Sequence, residues 1–173
     1  DASNSAYVIF TSGSTGVPKG VIHGHGSVSL SLSECIEKLQ IDSSTRFMQS
    51  ASLAFDASIL EVFAPLAAGG CLCMISQEER NADLESTMHK LQVSHAWLTP
   101  SMVPHIQPES LPTLRSLGLG GEAPTAEILS TWGEKVQLNN MYGTTESGVW
   151  DTVKTGVKPG DNPKNVGRSI GNV

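Results

Sequence analysis

Residues 6–20 read AYVIFTSGSTGVPKG. A short run of β-branched and aromatic residues ends in a segment, Thr11 to Gly20, holding three glycines, four hydroxyl side chains, one proline and one lysine. The pattern predicts a strand followed by a tight loop. A Walker loop requires Gly, four residues, then Gly-Lys-Ser/Thr. Counting from Gly13, the second glycine position is taken by Pro18, and Lys19 is followed by Gly20. A P-loop kinase is thereby excluded. What remains is a turn in which Ser12, Ser14 and Thr15 can donate to phosphate oxygens. Gly13 and Gly16 allow backbone N–H groups to approach closely. Lys19, set behind a rigid proline, can add a mobile positive charge. The same composition also suits a plain surface loop.

Outward from this loop, the chain alternates between two periods. Val28, Leu32, Ile36 and Leu39 in HGSVSLSLSECIEKLQ recur at helical spacing. RFMQSASLAF (46–55) reads as a strand entering a loop. Asp56 then stands where it can cap a helix through ASILEVFAPLAAG, which Gly69 and Gly70 stop. CLCMIS is expected to be a short buried strand and ADLESTMHKLQ an amphipathic helix. HAWLTP, LRSLGLGGEA and VQLNNMYG read as further strands, TAEILSTWGE as a helix and SMVPHI as a short helix. From Thr155 onward, Gly, Pro, Asp and Asn predict loop. Strands alternating with helices imply an α/β fold with a largely parallel sheet flanked by helices. In such sheets ligands sit outside the carboxyl ends of strands. Polar glycine turns are expected at those ends after Phe10, Leu119 and Met141.

Composition narrows the function. The 173 residues are 39% apolar and 16% charged, with a net charge of −6. That is the profile of a globular chain. It disfavours nucleic acid as a partner, since phosphate backbones are bound by Lys/Arg clusters. The apolar runs are too short to span a bilayer, and DASNSAY lacks the features of a signal peptide. Cys35, Cys71 and Cys73 cannot all pair. They are expected to be small buried hydrophobes in a reducing cytoplasm rather than a metal or redox site.

Three segments carry candidate chemistry. Asp56 opens a predicted helix, so capping is its simplest role. Gly120 and Gly121 follow a strand, as in any tight turn. Tyr142 suits a core, and Glu146 suits the first turn of a helix, favoured by its dipole. Read together, YVIFTSGSTGVPKGV (7–21), LAFDASILEVFAPLAAGG (53–70), LGLGGEAP (117–124) and NNMYGTTESG (139–148) resemble, in order, motifs of the adenylate-forming (AMP-binding) enzymes. FDAS is similar to the adenylation domains of nonribosomal peptide synthetases. Thr144, where those domains usually carry proline, is nearer to acyl-CoA ligases.

The resemblance implies part of the large N-terminal subdomain of such a domain over residues 1–173. It implies ATP contacts from Thr11, Ser12, Gly13, Ser14, Thr15, Gly16 and Lys19. Further nucleotide contacts would come from Gly121, Glu122 and Ala123 and from Asn140, Tyr142, Gly143 and Thr145. Glu146 would hold Mg²⁺, and Lys19, Thr145 and Glu146 would serve catalysis. Asp56 would pair with a substrate α-ammonium, because a buried ammonium needs a carboxylate. Ala57, Leu60, Trp97, Gly118, Gly120, Met141, Val149 and Trp150 would line the side-chain pocket. None of these eight is charged, so an apolar or aromatic amino acid is expected. The implied activity is ATP-dependent formation of an aminoacyl-adenylate, with transfer to the phosphopantetheine thiol of a carrier domain beside a condensation domain. Alternatives are an acyl-CoA or aryl-acid ligase of the same superfamily, or a non-catalytic nucleotide-binding module. The family's C-terminal subdomain, with its catalytic lysine, has no match here, so the chain is expected to be a fragment inactive alone. His25 matches a histidine often found in the family, with packing or capping as its expected role. Packing or capping is expected of His23 as well, and no role is assigned to His89, His95 or His105.

Overall fold

The computed structural model describes residues 1–12 and 16–170. Strand β1 (Ser5–Thr11) folds back on β2 (Lys19–Gly24) as an antiparallel ladder, with Thr11 opposite Lys19. This pair forms a sheet of its own. The expectation that β1 feeds the parallel sheet is therefore corrected. Val21, Ile22 and His23 continue a strand-forming pattern after Gly20, so the chain completes a hairpin before helix α1 (His25–Lys38) begins.

The elements that follow are β3 (Arg46–Gln49), α2 (Ala57–Ala67), β4 (Cys71–Met74), α3 (Gln77–Ala82), α4 (Leu84–Lys90) and β5 (His95–Leu98). After two short 3₁₀ turns come β6 (Ser116–Leu119), α5 (Ala126–Trp132), β7 (Gln137–Tyr142), β8 (Thr152–Lys154) and β9 (Arg168–Ser169). The main sheet runs in the order β4-β3-β5-β6-β7-β8-β9. Strands β4 through β7 in that order are mutually parallel, and β8 and β9 join antiparallel. The largely parallel sheet is thus present, extended by an antiparallel edge. β9 falls in the tail expected to be all loop.

Period-2 alternation sorts the strand residues onto two covered faces. Leu117 and Leu119 of β6 join Met88, Leu98, Leu129, Trp132 and Leu138 in one apolar layer, which takes in residues of α4 and α5. Phe47, Leu60, Ala64, Met141, Val149 and Trp150 form the other, which takes in residues of α1 and α2. Gly118, between the two leucines, and Gly120, just after them, belong to this second side. The end of α2 is set by Gly69, at φ +76, and by Gly70. A Cβ on Gly70 would stand 2.9 Å from the carbonyl oxygens of both Asp42 and Thr45.

β4 lies at the sheet edge, pairing only with β3. Of its residues Cys73 is buried, whereas Cys71 and Met74 are exposed. The expectations of a buried strand and of three buried cysteines fail for this reason. Cys35, on the buried side of α1, is covered, and that burial pushes its thiol up to about 12.

Trp132 is 2% exposed within the first layer. Trp132→Ala is expected to lower unfolding free energy by about 3–5 kcal/mol. A shift below about 1 kcal/mol in chemical denaturation would contradict its placement in a close-packed layer.

Candidate functional site

Helix α2 starts at the carboxyl end of β3 after the loop 50–56. Asp56 occupies its N-cap position with helical backbone angles, yet its side chain makes no capping bond. Three other helix starts differ. Ser76, Asp83 and Thr125 each accept a backbone N–H, at 3.1, 2.9 and 3.3 Å. Among the described residues, Asp56 joins no ion pair. Its half-buried carboxylate instead lines a cavity of about 430 Å³ at the carboxyl ends of β3 and β5. Tyr7 of β1 lies close by. Its hydroxyl is buried with no hydrogen-bond partner among the described residues, and burial, then the Asp56 charge, pushes it up to about 12.

The remaining walls are mostly apolar, from Phe55, Ala57, Trp97, Leu98, Met102, Val149 and Trp150. The Trp97 and Trp150 rings meet at 5.4 Å with a 47° tilt. Four of the eight expected pocket residues, Ala57, Trp97, Val149 and Trp150, therefore line this cavity. Leu60 and Met141 are buried in the apolar layer that also holds Ala57, Val149 and Trp150. Gly118 and Gly120 make room for neighbouring side chains. A Cβ on Gly118 would lie 2.9 Å from Met141 Sδ, and one on Gly120 would lie 2.8 Å from Trp150 Cη2. The expected uncharged lining also needs amendment, because Arg80 of α3 stands in the wall.

Residues 49–51 are held by Glu61, a turn and a half along α2 from Asp56. Glu61 is fully buried. Its Oε2 accepts from the Ser50 N–H at 3.0 Å, the Ala51 N–H at 2.9 Å and Gln49 Nε2 at 3.2 Å, and its Oε1 accepts from the Ser50 hydroxyl at 3.2 Å. Burial pushes its carboxyl up to about 7 against the downward pull of those donors. Arg80 Nη1 donates to the Ser50 carbonyl at 2.5 Å. In sequence Glu61 is the one charged residue of the helix 57–67, and Arg80 ends the charged run QEER. No local signal marks either.

A second cavity, of about 370 Å³, opens between the turns after β6 and β7. Gly121, Glu122 and Ala123 line it together with Asn140, Met141, Tyr142 and Gly143, so two of the recognised segments meet at one place. Gly121 and Gly143 also line the first cavity, which makes the two contiguous. The second is completed by Pro163, Lys164 and Val166 of the tail. Asn140 fixes that tail by donating to the carbonyls of Pro163 and Asn165 at 3.0 and 2.9 Å. Glu122 accepts from the Ser101 hydroxyl and N–H at 3.0 and 3.2 Å. Tyr142 is exposed at 51% and presents a free ring face.

Thr145 is half-buried and Glu146 exposed in the turn beyond. Among the described residues no cluster of three or more metal-ligating side chains exists. A lone carboxylate fits Mg²⁺, which keeps most of its waters and binds through one or two carboxylates plus substrate phosphates. His23 ties this turn to the hairpin, its Nε2 lying 2.6 Å from the Thr145 carbonyl oxygen. The glycine loop is accordingly the tip of the β1–β2 hairpin. Thr11 and Lys19 face each other at its base, and Gly16 has φ +80. Gly13, Ser14 and Thr15 lie outside the described residues. Turns end β6 and β7 as expected, whereas β1 is followed by its own antiparallel partner β2. Among the described residues, no helix is long and apolar enough to cross a membrane.

The sequence matches the family described as AMP-binding enzyme over residues 1–173. It is 41% identical over 168 residues to nonribosomal peptide synthetase GRA1 of Gibberella zeae, covering 97% of this chain and 2% of that protein. It is 42% identical over 166 residues to nonribosomal peptide synthetase 9 of the same organism, covering 96% and 20%. The chain thus spans a small part of the curated relatives it matches. Among solved structures it resembles the Vibrio cholerae adenylation domain AlmE in complex with glycyl-adenosine-5'-phosphate. That match has a TM-score of 0.84 and 24% identity, over 98% of this chain and 33% of the other. It also resembles holo-AB3403, a four-domain nonribosomal peptide synthetase bound to AMP and glycine, with a TM-score of 0.81 and 28% identity over 96% and 13%.

Glu61 supplies a pH test. Its carboxyl titrates near 7 in the fold against an ordinary value of 4.5. The folded chain therefore holds a proton that the unfolded chain has released, and this contribution is complete below 4.5 and lost as pH rises through about 7. Unfolding free energy is expected to decline between about pH 5 and pH 8, with a flatter decline in Glu61→Gln. Equal slopes in both proteins would contradict the assignment.

Proposed function

Because the chain belongs to the AMP-binding enzyme family, we propose that it carries the substrate and nucleotide sites of a nonribosomal peptide synthetase adenylation domain. The observation that carries this reading is the pair of contiguous cavities. One offers an uncommitted carboxylate amid apolar walls, and the other lies between the turns of β6 and β7. The AMP and glycine of the four-domain relative support placing a nucleotide beside an amino acid.

In this mechanism Asp56 pairs with the α-ammonium of the amino acid. The apolar walls take the side chain and exclude water, which strengthens that ion pair. The substrate carboxylate then attacks the α-phosphorus of ATP, forming the acyl–phosphate bond as the bond to pyrophosphate breaks. Adenine lies against Tyr142 and the 121–123 turn, and Thr145 donates to the α-phosphate. The hydroxyls and N–H groups of residues 11–16, with Lys19, hold the departing pyrophosphate. When bound with the nucleotide, Mg²⁺ near Glu146 supplies charge neutralisation. The residues contribute by positioning and by fixed donors, since the step brings an anion to a polyanion. In the second step the acyl group would pass to a phosphopantetheine thiol on a carrier domain, the carbon–sulfur bond forming as the acyl–phosphate bond breaks and AMP and the thiol proton leave. A condensation domain would then use the thioester, with the whole sequence placed in the cytoplasm.

The walls support a reading of the substrate class. Trp97, Trp150, Val149, Met102 and Phe55 favour an apolar or aromatic side chain, with the Trp pair limiting its depth. ATP–pyrophosphate exchange by the full-length protein is expected to be strongest with an apolar or aromatic amino acid. Strongest exchange with Asp, Glu, Lys or Arg would overturn the assignment.

A further inference from the structure

Ser50 is bound at every polar group it has. Its N–H and hydroxyl go to Glu61 at 3.0 and 3.2 Å, and its carbonyl accepts from Arg80 at 2.5 Å. Three elements meet on this one residue, namely the end of β3, helix α2 and helix α3. Ser50, Ala51 and Arg80 all line the amino-acid cavity, on whose wall Asp56 and Trp97 also stand. Arg80 joins no ion pair among the described residues, so its side chain is held in place by the Ser50 carbonyl rather than by an acid.

We propose that Arg80 is a positioning residue for substrate recognition, fixing the cavity wall through the Ser50 carbonyl and thereby setting which side chains fit. The proposal rests on the amino-acid-activating reading above. Its physical basis is the directionality of the contact. A charged donor binds a carbonyl more strongly than a neutral one, and a planar guanidinium fixes the direction of that bond. With the donor removed, the Ser50 carbonyl turns to water and the 50–52 segment keeps only its bonds to Glu61, Gln49 and Trp97. The wall then yields toward larger ligands. Arg80 has four further N–H groups, which raises the competing possibility that it touches an acidic side chain of the substrate itself.

The experiment compares the full-length protein with Arg80→Met, which keeps the apolar stem, and Arg80→Lys, which keeps the charge. Exchange is measured with amino acids of increasing side-chain size and with Asp and Glu, alongside ATP titration and thermal midpoints. Arg80→Met is expected to raise KM for the preferred amino acid by about tenfold or more. It should broaden the panel toward larger side chains, with kcat and the KM for ATP changing by less than about twofold. Arg80→Lys should restore most of the selectivity. An unchanged amino-acid KM and panel would overturn the proposal. So would a loss confined to Asp and Glu, which makes Arg80 a direct contact, or a uniform loss of kcat tracking the thermal midpoint. Should the wild type activate no amino acid, the functional reading itself fails, and the proposal with it.

Discussion

The grip of Glu61 on the backbone of Ser50 and Ala51 is the constraint on which the site depends. It fastens the end of β3 to the body of α2, so the helix starts at a fixed height above the sheet. With the loop held from inside the helix, the N-cap side chain is not needed to hold it. Asp56 is left without a capping bond at the positive end of α2, facing a cavity. A buried carboxyl with four donors and no cation beside it is costly to ionise. Its elevated titration reflects that cost, and the cavity wall is what the fold obtains for it.

A second device works through size. β6 alternates leucine with glycine, and the glycines fall on the face where Met141, Trp97 and Trp150 crowd together. Large side chains from β5 and from the segment before β8 thereby reach over the strand and shape the wall. The turns that follow β6 and β7 then stand side by side, which is how Gly121 and Gly143 come to belong to both cavities. Parallel strands deliver their loops to one edge. The hairpin arrives separately and is secured by His23 on the Thr145 carbonyl and by Tyr7 beside Asp56.

Much of this was legible in the sequence where local chemistry and period agreed. The glycine turns after Leu119 and Met141, the stop of α2 at Gly69 and the helices through Leu39 and Trp132 are each encoded by a few neighbouring residues. Asp56 was legible as a helix start, and its freedom from capping was not, because that depends on Glu61 binding the loop. The β1–β2 hairpin was hidden for a similar reason. A strand-like run does not say whether it pairs with its successor or with a distant strand. Arg80, Lys164 and His23 reach the site from positions far along the chain from the residues they meet, and side-chain reach across elements leaves no periodic trace. At Gly118 and Gly120 a missing Cβ indicates room, and the sequence does not show that Met141 and Trp150 stand beside it.

The central claim is that the Asp56 carboxylate recognises the substrate's ammonium. It is tested most directly by measuring ATP–pyrophosphate exchange in the full-length protein and in Asp56→Ala. The ligands are the preferred amino acid and the same acid lacking its amine. The account predicts a loss of about a hundredfold or more with the amino acid, as expected for removing one partner of a desolvated charge pair. Exchange with the amine-free acid should stay at its wild-type level. Equal losses with both acids, or amino-acid exchange unaffected by the substitution, would contradict it.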